Sequence, residues 1–219
     1  MKNAVEKLAS ACIDQKSIVS FVGGGGKTTA IFLLADHLQK QNVDVAVTTT
    51  THFHIPPFYK NNFPVYGTPA DNKLAPPDNI EEILGKHQVV LIEADGAKGK
   101  PLKAPADHEP VLHPATTHLV ITAGLSAVGK QIADAGFRTE QLCQILNCIE
   151  EHIITPDDVA KVLLSSTGGR KSAGDLPCTL LLNQADTKEL YDQGAEIALA
   201  AQAEGIPTVI AALQRKELP

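Results

Sequence analysis

Residues 17–29 read SIVSFVGGGGKTT, and the class of fold turns on this stretch. Ile18, Val19, Phe21 and Val22 form a short apolar run that predicts a buried strand. Gly23, Gly24, Gly25 and Gly26 follow, then Lys27, Thr28 and Thr29. Ile31, Leu34, Ala35 and Leu38 then recur at i, i+3, i+4 and i+7, so a helix begins at once and ends near Gln41 and Asn42. Strand, glycine turn, Lys-Thr and helix is the build of a phosphate-binding loop. Glycines lack Cβ atoms, so backbone N–H groups can close on phosphate oxygens, and the helix N-terminus adds partial positive charge. Lys27 would reach the β and γ phosphates, and the Thr28 hydroxyl would sit on Mg²⁺.

The spacing is not the common one. In G-x-x-x-x-G-K-[ST] the first glycine would fall on Phe21; here the shorter G-x-x-G-K-T form runs from Gly23 to Thr28, as in Mur-ligase-type loops. The alternative, a glycine-rich hairpin turn with a chance Lys-Thr, leaves the flanking strand and helix unexplained.

A second stretch, VVLIEADGAKGKPLKAPADHEP at residues 89–110, fits the first. Val89, Val90, Leu91 and Ile92 are continuously apolar, as a central parallel strand is, and they deliver Glu93 and Asp95 to the sheet edge. A carboxylate beside a phosphate loop can complete the oxygen shell of Mg²⁺. Either acid could take that role; the plain alternative is a strand ending in solvated acids. Lys98, Lys100 and Lys103 follow, a local positive cluster suited to gripping an anion or substrate, or else a solvated lysine turn.

The rest of the chain supplies further strands and helices. A short helix at 5–12 leads. A strand at 43–47 runs into Thr48, Thr49, Thr50, Thr51 and His52, of which Thr51 and His52 are taken to face the site. Residues 55–79 hold six of the fourteen prolines and read as an irregular excursion, followed by a short helix at 80–84. HLVIT at 118–122 is a strand, and the glycines after it are read as an ordinary loop. Helices are expected at 138–149, with Leu142, Ile145, Leu146 and Ile149 on one face, and from Thr155-Pro156 to about Leu164. They suggest a small helical insert at about 134–175. A strand at 178–182 ends in Asn183-Gln184-Ala185-Asp186, which is similar to the Asn-Lys-x-Asp element that reads guanine, with Gln in place of Lys. Thr187 caps a long helix that stops at Gly205, and residues 208–213 are a last strand.

Composition narrows the classes. The chain has 219 residues, 43% of them hydrophobic, enough for one good-sized domain. A net charge of −6 argues against a general nucleic-acid surface. No run of about 18 apolar residues exists to span a membrane, and the charged N-terminal stretch lacks the apolar core of a secretion signal. Cys12, Cys143, Cys148 and Cys178 show no C-x-x-C spacing and read as buried reduced thiols of a cytoplasmic protein; zinc at Cys143 and Cys148 is the lesser alternative.

FVGGGGKTT, VTTTTH, LIEADGAKGKPLKAPADHEP and LLNQAD together resemble the YqeC-type family of accessory proteins for selenium-dependent molybdenum hydroxylases. The likeness runs from about residue 18 to 186, and the E-A-D-G-A-K-G-x-P-x-K-x-P stretch is its specific part. It implies a P-loop nucleoside triphosphatase that serves maturation of a molybdenum-cofactor enzyme. The residues themselves point to an α/β three-layer fold with a mostly parallel sheet and helices on both faces. They also point to Mg²⁺-dependent nucleotide binding with slow hydrolysis, GTP favoured over ATP. In that reading Gly23, Gly24, Gly25, Gly26, Lys27, Thr28 and Thr29 hold phosphates, and Lys27, Glu93 and Asp95 carry the catalysis. Thr28 with Glu93 or Asp95 holds Mg²⁺, while Asn183 and Asp186 read the base. An ATP-dependent small-molecule kinase or ligase and a non-catalytic nucleotide-gated adaptor are the competing readings.

Overall fold

The computed structural model describes residues 2–57, 59–60 and 62–213. The elements in chain order are α1 (Lys2–Cys12), β1 (Ser17–Gly23), α2 (Lys27–Lys40), β2 (Val45–Thr49), β3 (Thr68–Ala70), β4 (Lys73–Ala75) and α3 (Ile80–Lys86). Then come β5 (Val89–Glu93), β6 (Leu102–Lys103), β7 (His118–Gly124), α4 (Ile132–Ala135), β8 (Gly136–Phe137) and α5 (Thr139–Leu146). The series closes with α6 (Pro156–Leu164), β9 (Cys178–Asn183), α7 (Lys188–Ala203) and β10 (Thr208–Ile210).

Six strands form one sheet in the order β10-β9-β7-β1-β5-β2, every neighbouring pair parallel. Strands buried on both faces must be apolar throughout, and β1, β2 and β5 are buried at every residue. Alternate side chains serve opposite layers. Val19, Phe21, Val47, Leu91 and Val120 join α1 and α2 in one apolar cluster, while Leu119, Ile121, Leu180 and Leu182 join α4, α5, α6 and α7 in another. Ile18, Val90 and Ile92 pack under α3. The result is the expected α/β three-layer architecture. Residues from 132 to 163 contribute to the same cluster as the sheet, with Ile132, Leu142, Val159 and Val162 all buried in it.

Local signals set several boundaries. Thr155 accepts from the Asp158 N–H in a full capping box, with Pro156 at the first turn of α6. Thr187 accepts from the Leu190 N–H to start α7, and Gly205 at φ +72° follows its end. The 138–149 helix is shorter than its pattern suggested: α5 ends at Leu146, Asn147 turns left-handed, and Ile149 is 68% exposed. The strands at 43–47 and 208–213 also shift, to Val45–Thr49 and Thr208–Ile210, where they pair with Val89–Glu93 and Leu180–Leu182. The proline-rich excursion carries an antiparallel hairpin, β3 with β4, turned at left-handed Asp71.

In an open α/β sheet, ligands bind beyond the strand C-termini at the point where consecutive crossovers part to opposite faces. Here β1 leads to α2 on one face, and its neighbour β7 leads to the helices on the other. The glycine run lies in that crevice.

Candidate functional site

The loop from Gly23 to Gly26 is built for close backbone approach. Gly23, Gly25 and Gly26 have φ of +95°, +74° and +111°. A Cβ on Gly23 would lie 2.2 Å from the Thr122 carbonyl oxygen, and one on Gly25 would lie 2.0 Å from the Gly124 nitrogen. Glycine is required here both by left-handed backbone and by contact with the end of β7.

The donors divide in a way that spacing alone did not indicate. The Gly23 N–H donates to Asp95 Oδ2 at 3.0 Å, the Gly24 N–H to the Thr122 carbonyl at 3.0 Å, and the Gly25 N–H to the Lys100 carbonyl at 3.1 Å. Three of the four glycines thus spend their N–H groups on the fold. The first intrahelical bond of α2 is from Ala30 N–H to the Gly26 carbonyl, so Lys27, Thr28 and Thr29 begin the helix with N–H groups that no carbonyl of α2 can reach. Anion-binding capacity is therefore concentrated on the first turn of α2.

Lys27 and Thr28 stand at that turn, each beside an acid delivered by β5. Lys27 Nζ donates to the Gly23 carbonyl at 2.6 Å and lies 3.0 Å from Asp95 Oδ1. Thr28 Oγ1 donates to Glu93 Oε2 at 2.6 Å. Register explains this proximity: β5 is the immediate neighbour of β1, and Glu93 pairs with Phe21 two residues before the glycines. Burial disfavours the Lys27 ammonium, but Asp95 and Glu93 more than offset that, and its pKa sits above the ordinary lysine value. Burial pushes the Glu93 carboxyl up, only partly countered by Lys27 and the Thr28 hydroxyl.

The two acids have separated duties. Asp95 is 2% exposed and lies between two lysines, with Lys103 Nζ 2.9 Å from its Oδ2. Lys103 also lies 3.0 Å from Glu109 Oε2, and Arg138 Nη2 lies 3.4 Å from Glu109 Oε1. The Lys103 contacts are Coulombic rather than well-aligned hydrogen bonds. With Glu93, this network joins three cations to three anions under the loop. Burial would raise the Glu109 pKa, yet the Ala106 N–H, Lys103 and Arg138 together hold it below the ordinary glutamate range.

Other sequence candidates fall into place around this core. Lys103 is wholly buried in the ion network, away from solvent anions, whereas Lys98 is exposed with its ammonium 5.5 Å from the Phe137 ring centre. Lys100 Nζ donates to the Asp134 carbonyl at 2.5 Å, and its own carbonyl braces Gly25. The three lysines therefore do not form a single anion-gripping surface. In the threonine run, Thr49 and Thr50 spend their hydroxyls on the Glu93 and Val111 carbonyls, while Thr51 is half-buried and His52 exposed beyond the end of β2.

Asn183 and Asp186 differ in burial and in partners. Asn183 is 2% exposed; its Nδ2 donates to the Gly25 carbonyl at 2.7 Å and its Oδ1 accepts from the Leu213 N–H at 2.9 Å. Both ends of its amide brace the fold. Asp186 is on the surface rather than buried. Gln184, left-handed at φ +64°, lies across Gly124 and accepts from the Ser126 hydroxyl at 2.5 Å.

Several contributors had no local signal. The carbonyls of Thr122, Lys100 and Pro101 shape the loop, and Glu109, Phe137 and Arg138 complete its charge network. Glu109, six residues after Lys103, was the one among them whose charge pairing could have been suspected from sequence.

The family model of the YqeC protein matches residues 19–140, more than half of the chain. The chain belongs to the YqeC family. It is 27% identical over 184 residues to the uncharacterized protein YqeC of Escherichia coli (strain K12), an overlap covering 71% of each chain. The span matched by the YqeC model contains the glycine loop, Glu93, Asp95, Lys103, Glu109 and Arg138, so the whole ion network lies inside the family's shared region. Among the described residues of this YqeC-family chain, no helix is long and apolar enough to cross a membrane.

Proposed function

We propose that this protein binds a Mg²⁺–nucleoside triphosphate at the first turn of α2 and hydrolyses it slowly. The observation that carries the reading is the pairing of an open helix N-terminus with Lys27 and with the Thr28–Glu93 contact. Phosphate oxygens would take the N–H groups of Lys27, Thr28 and Thr29, and Lys27 would exchange Asp95 for phosphate charge. Thr28 Oγ1 and Glu93 would be the protein oxygens on Mg²⁺, a hard cation that also needs phosphate and water ligands. The bound cation would neutralise charge developing on the transferred phosphoryl group. Asp95, committed to Lys27, Lys103 and the Gly23 N–H, positions the loop and is not assigned to the metal.

Asn183, engaged at both ends of its amide, and Asp186, at the surface, do not by themselves decide between GTP and ATP. The reading carried forward is a triphosphate site open to either purine. Its place in the maturation of a selenium-dependent molybdenum hydroxylase is proposed from the family resemblance alone.

Calorimetric titration with ATP and GTP, with and without Mg²⁺, tests the site. Lys27→Ala removes a charge-assisted contact worth about 1.5–3 kcal/mol, so triphosphate affinity should fall roughly ten- to hundred-fold. Glu93→Ala should remove the dependence on Mg²⁺ while Mg²⁺-free binding persists. Unchanged triphosphate affinity in the Lys27 variant would refute the phosphate assignment; undiminished Mg²⁺ dependence in the Glu93 variant would make that acid structural.

A further inference from the structure

Far from the phosphate loop in function, the C-terminal end of α5 brings two thiols together. α5 closes with Asn147 in the left-handed conformation at φ +51°, ψ +53°. The Cys143 carbonyl accepts from both the Asn147 N–H and the Cys148 N–H, the latter at 3.1 Å. This is a left-handed helix cap with a six-residue closure, in which the side chains at its two ends ordinarily make an apolar contact. Here those two side chains are both cysteines and both half-buried, and burial together with Cys148, Glu150 and Glu151 pushes the Cys143 thiol up. A direct backbone hydrogen bond between the two residues keeps their Cα atoms near each other, and a disulfide needs a Cα separation of about 4.4–6.8 Å. The other two thiols lie elsewhere: Cys12 is buried in the apolar cluster of α1 and α2, and Cys178 donates to the Leu176 carbonyl.

We propose that Cys143 and Cys148 form a redox-active dithiol that closes to an intramolecular disulfide on exchange with a small disulfide, stapling the end of α5. The Cys148 thiolate attacks one sulfur of the small disulfide, forming a mixed disulfide and releasing one small thiol. The Cys143 thiolate then attacks Cys148 Sγ and releases the second small thiol. The two protein thiols lose two electrons, the small disulfide gains them, and the two protons end on the released thiols. Neither step needs the helix to open, because the cap already joins the two residues through their backbone. The proposal does not depend on the nucleotide reading.

The test treats the full-length chain with excess glutathione disulfide at mildly alkaline pH and then blocks remaining thiols with a maleimide. No Lys or Arg lies between Arg138 and Lys161, so trypsin releases residues 139–161 as one peptide holding both cysteines. The expected product is that peptide lighter by two hydrogens, without adduct or maleimide, from a protein whose circular dichroism spectrum is unchanged. In Cys143→Ser the glutathione adduct should instead persist on Cys148. A persistent adduct on the unmodified chain, maleimide on both cysteines of the peptide, or closure only with loss of the folded spectrum would each overturn the proposal.

Discussion

Asp95→Ala is expected to lower stability by about 3–5 kcal/mol, the usual consequence of removing one partner from a buried ion pair. For a chain of this size that corresponds to a fall of about 6–20 °C in Tm. The side chains of Asp95, Lys27 and Lys103 are 2%, 4% and 0% exposed, so water cannot replace the lost charge. Two buried ammonium groups would face each other without their shared anion, and the Gly23 N–H would lose its acceptor. Asp95→Asn keeps an acceptor of the same size and should be milder, and by freeing Lys27 it separates a positioning role from a purely structural one. Differential scanning calorimetry decides the matter: a shift below about 2 °C for the alanine variant would mean that Asp95 does not organise the network.

Gly25→Ala should cost about 2–6 kcal/mol, combining the strain of a non-glycine residue at positive φ with overpacking against backbone. The added methyl would sit 2.0 Å from the Gly124 nitrogen, and strand β7 cannot retreat because its other face packs on α6 and α7. A parallel Gly99→Ala variant is the control for strain alone, since Gly99 has φ +77° but nothing within 4 Å of the place its methyl would take. Thermal unfolding of the two variants should therefore differ, with Gly25→Ala the less stable. Equal losses would show that conformation, rather than contact with β7, makes glycine necessary in the loop.

Much of the candidate site was legible because its signals are close in sequence. The strand, the glycines, Lys27 and the helix start within thirteen residues, and the apolar period changes where the backbone changes. The acids of residues 93 and 95 were legible for the same reason, since a fully apolar strand must end at the ligand edge of a parallel sheet. Exposed-looking charge misled at Lys103, where a lysine-rich stretch sends one member into the core because Asp95 and Glu109 await it there. The Asn183–Asp186 tetrad was legible only in part, because a motif records residue types and not their partners, and Asn183 finds its partners at Gly25 and Leu213.

The sequence by itself determined the parallel α/β class, the β1–loop–α2 unit and the cap of α6, each written by periodicity or by side chains within a few residues of their backbone targets. Only the tertiary structure decided which glycine N–H groups remain for a ligand, which acid stands beside Thr28, and which cations neutralise the other acid. Those outcomes depend on the neighbours β5 and β7 that flank β1 and on the carbonyls of Lys100 and Thr122, brought to the loop from about a hundred residues away or less. Hydrogen bonds and ion pairs act over a few ångströms in space, and no local pattern in the chain encodes a distance of that kind.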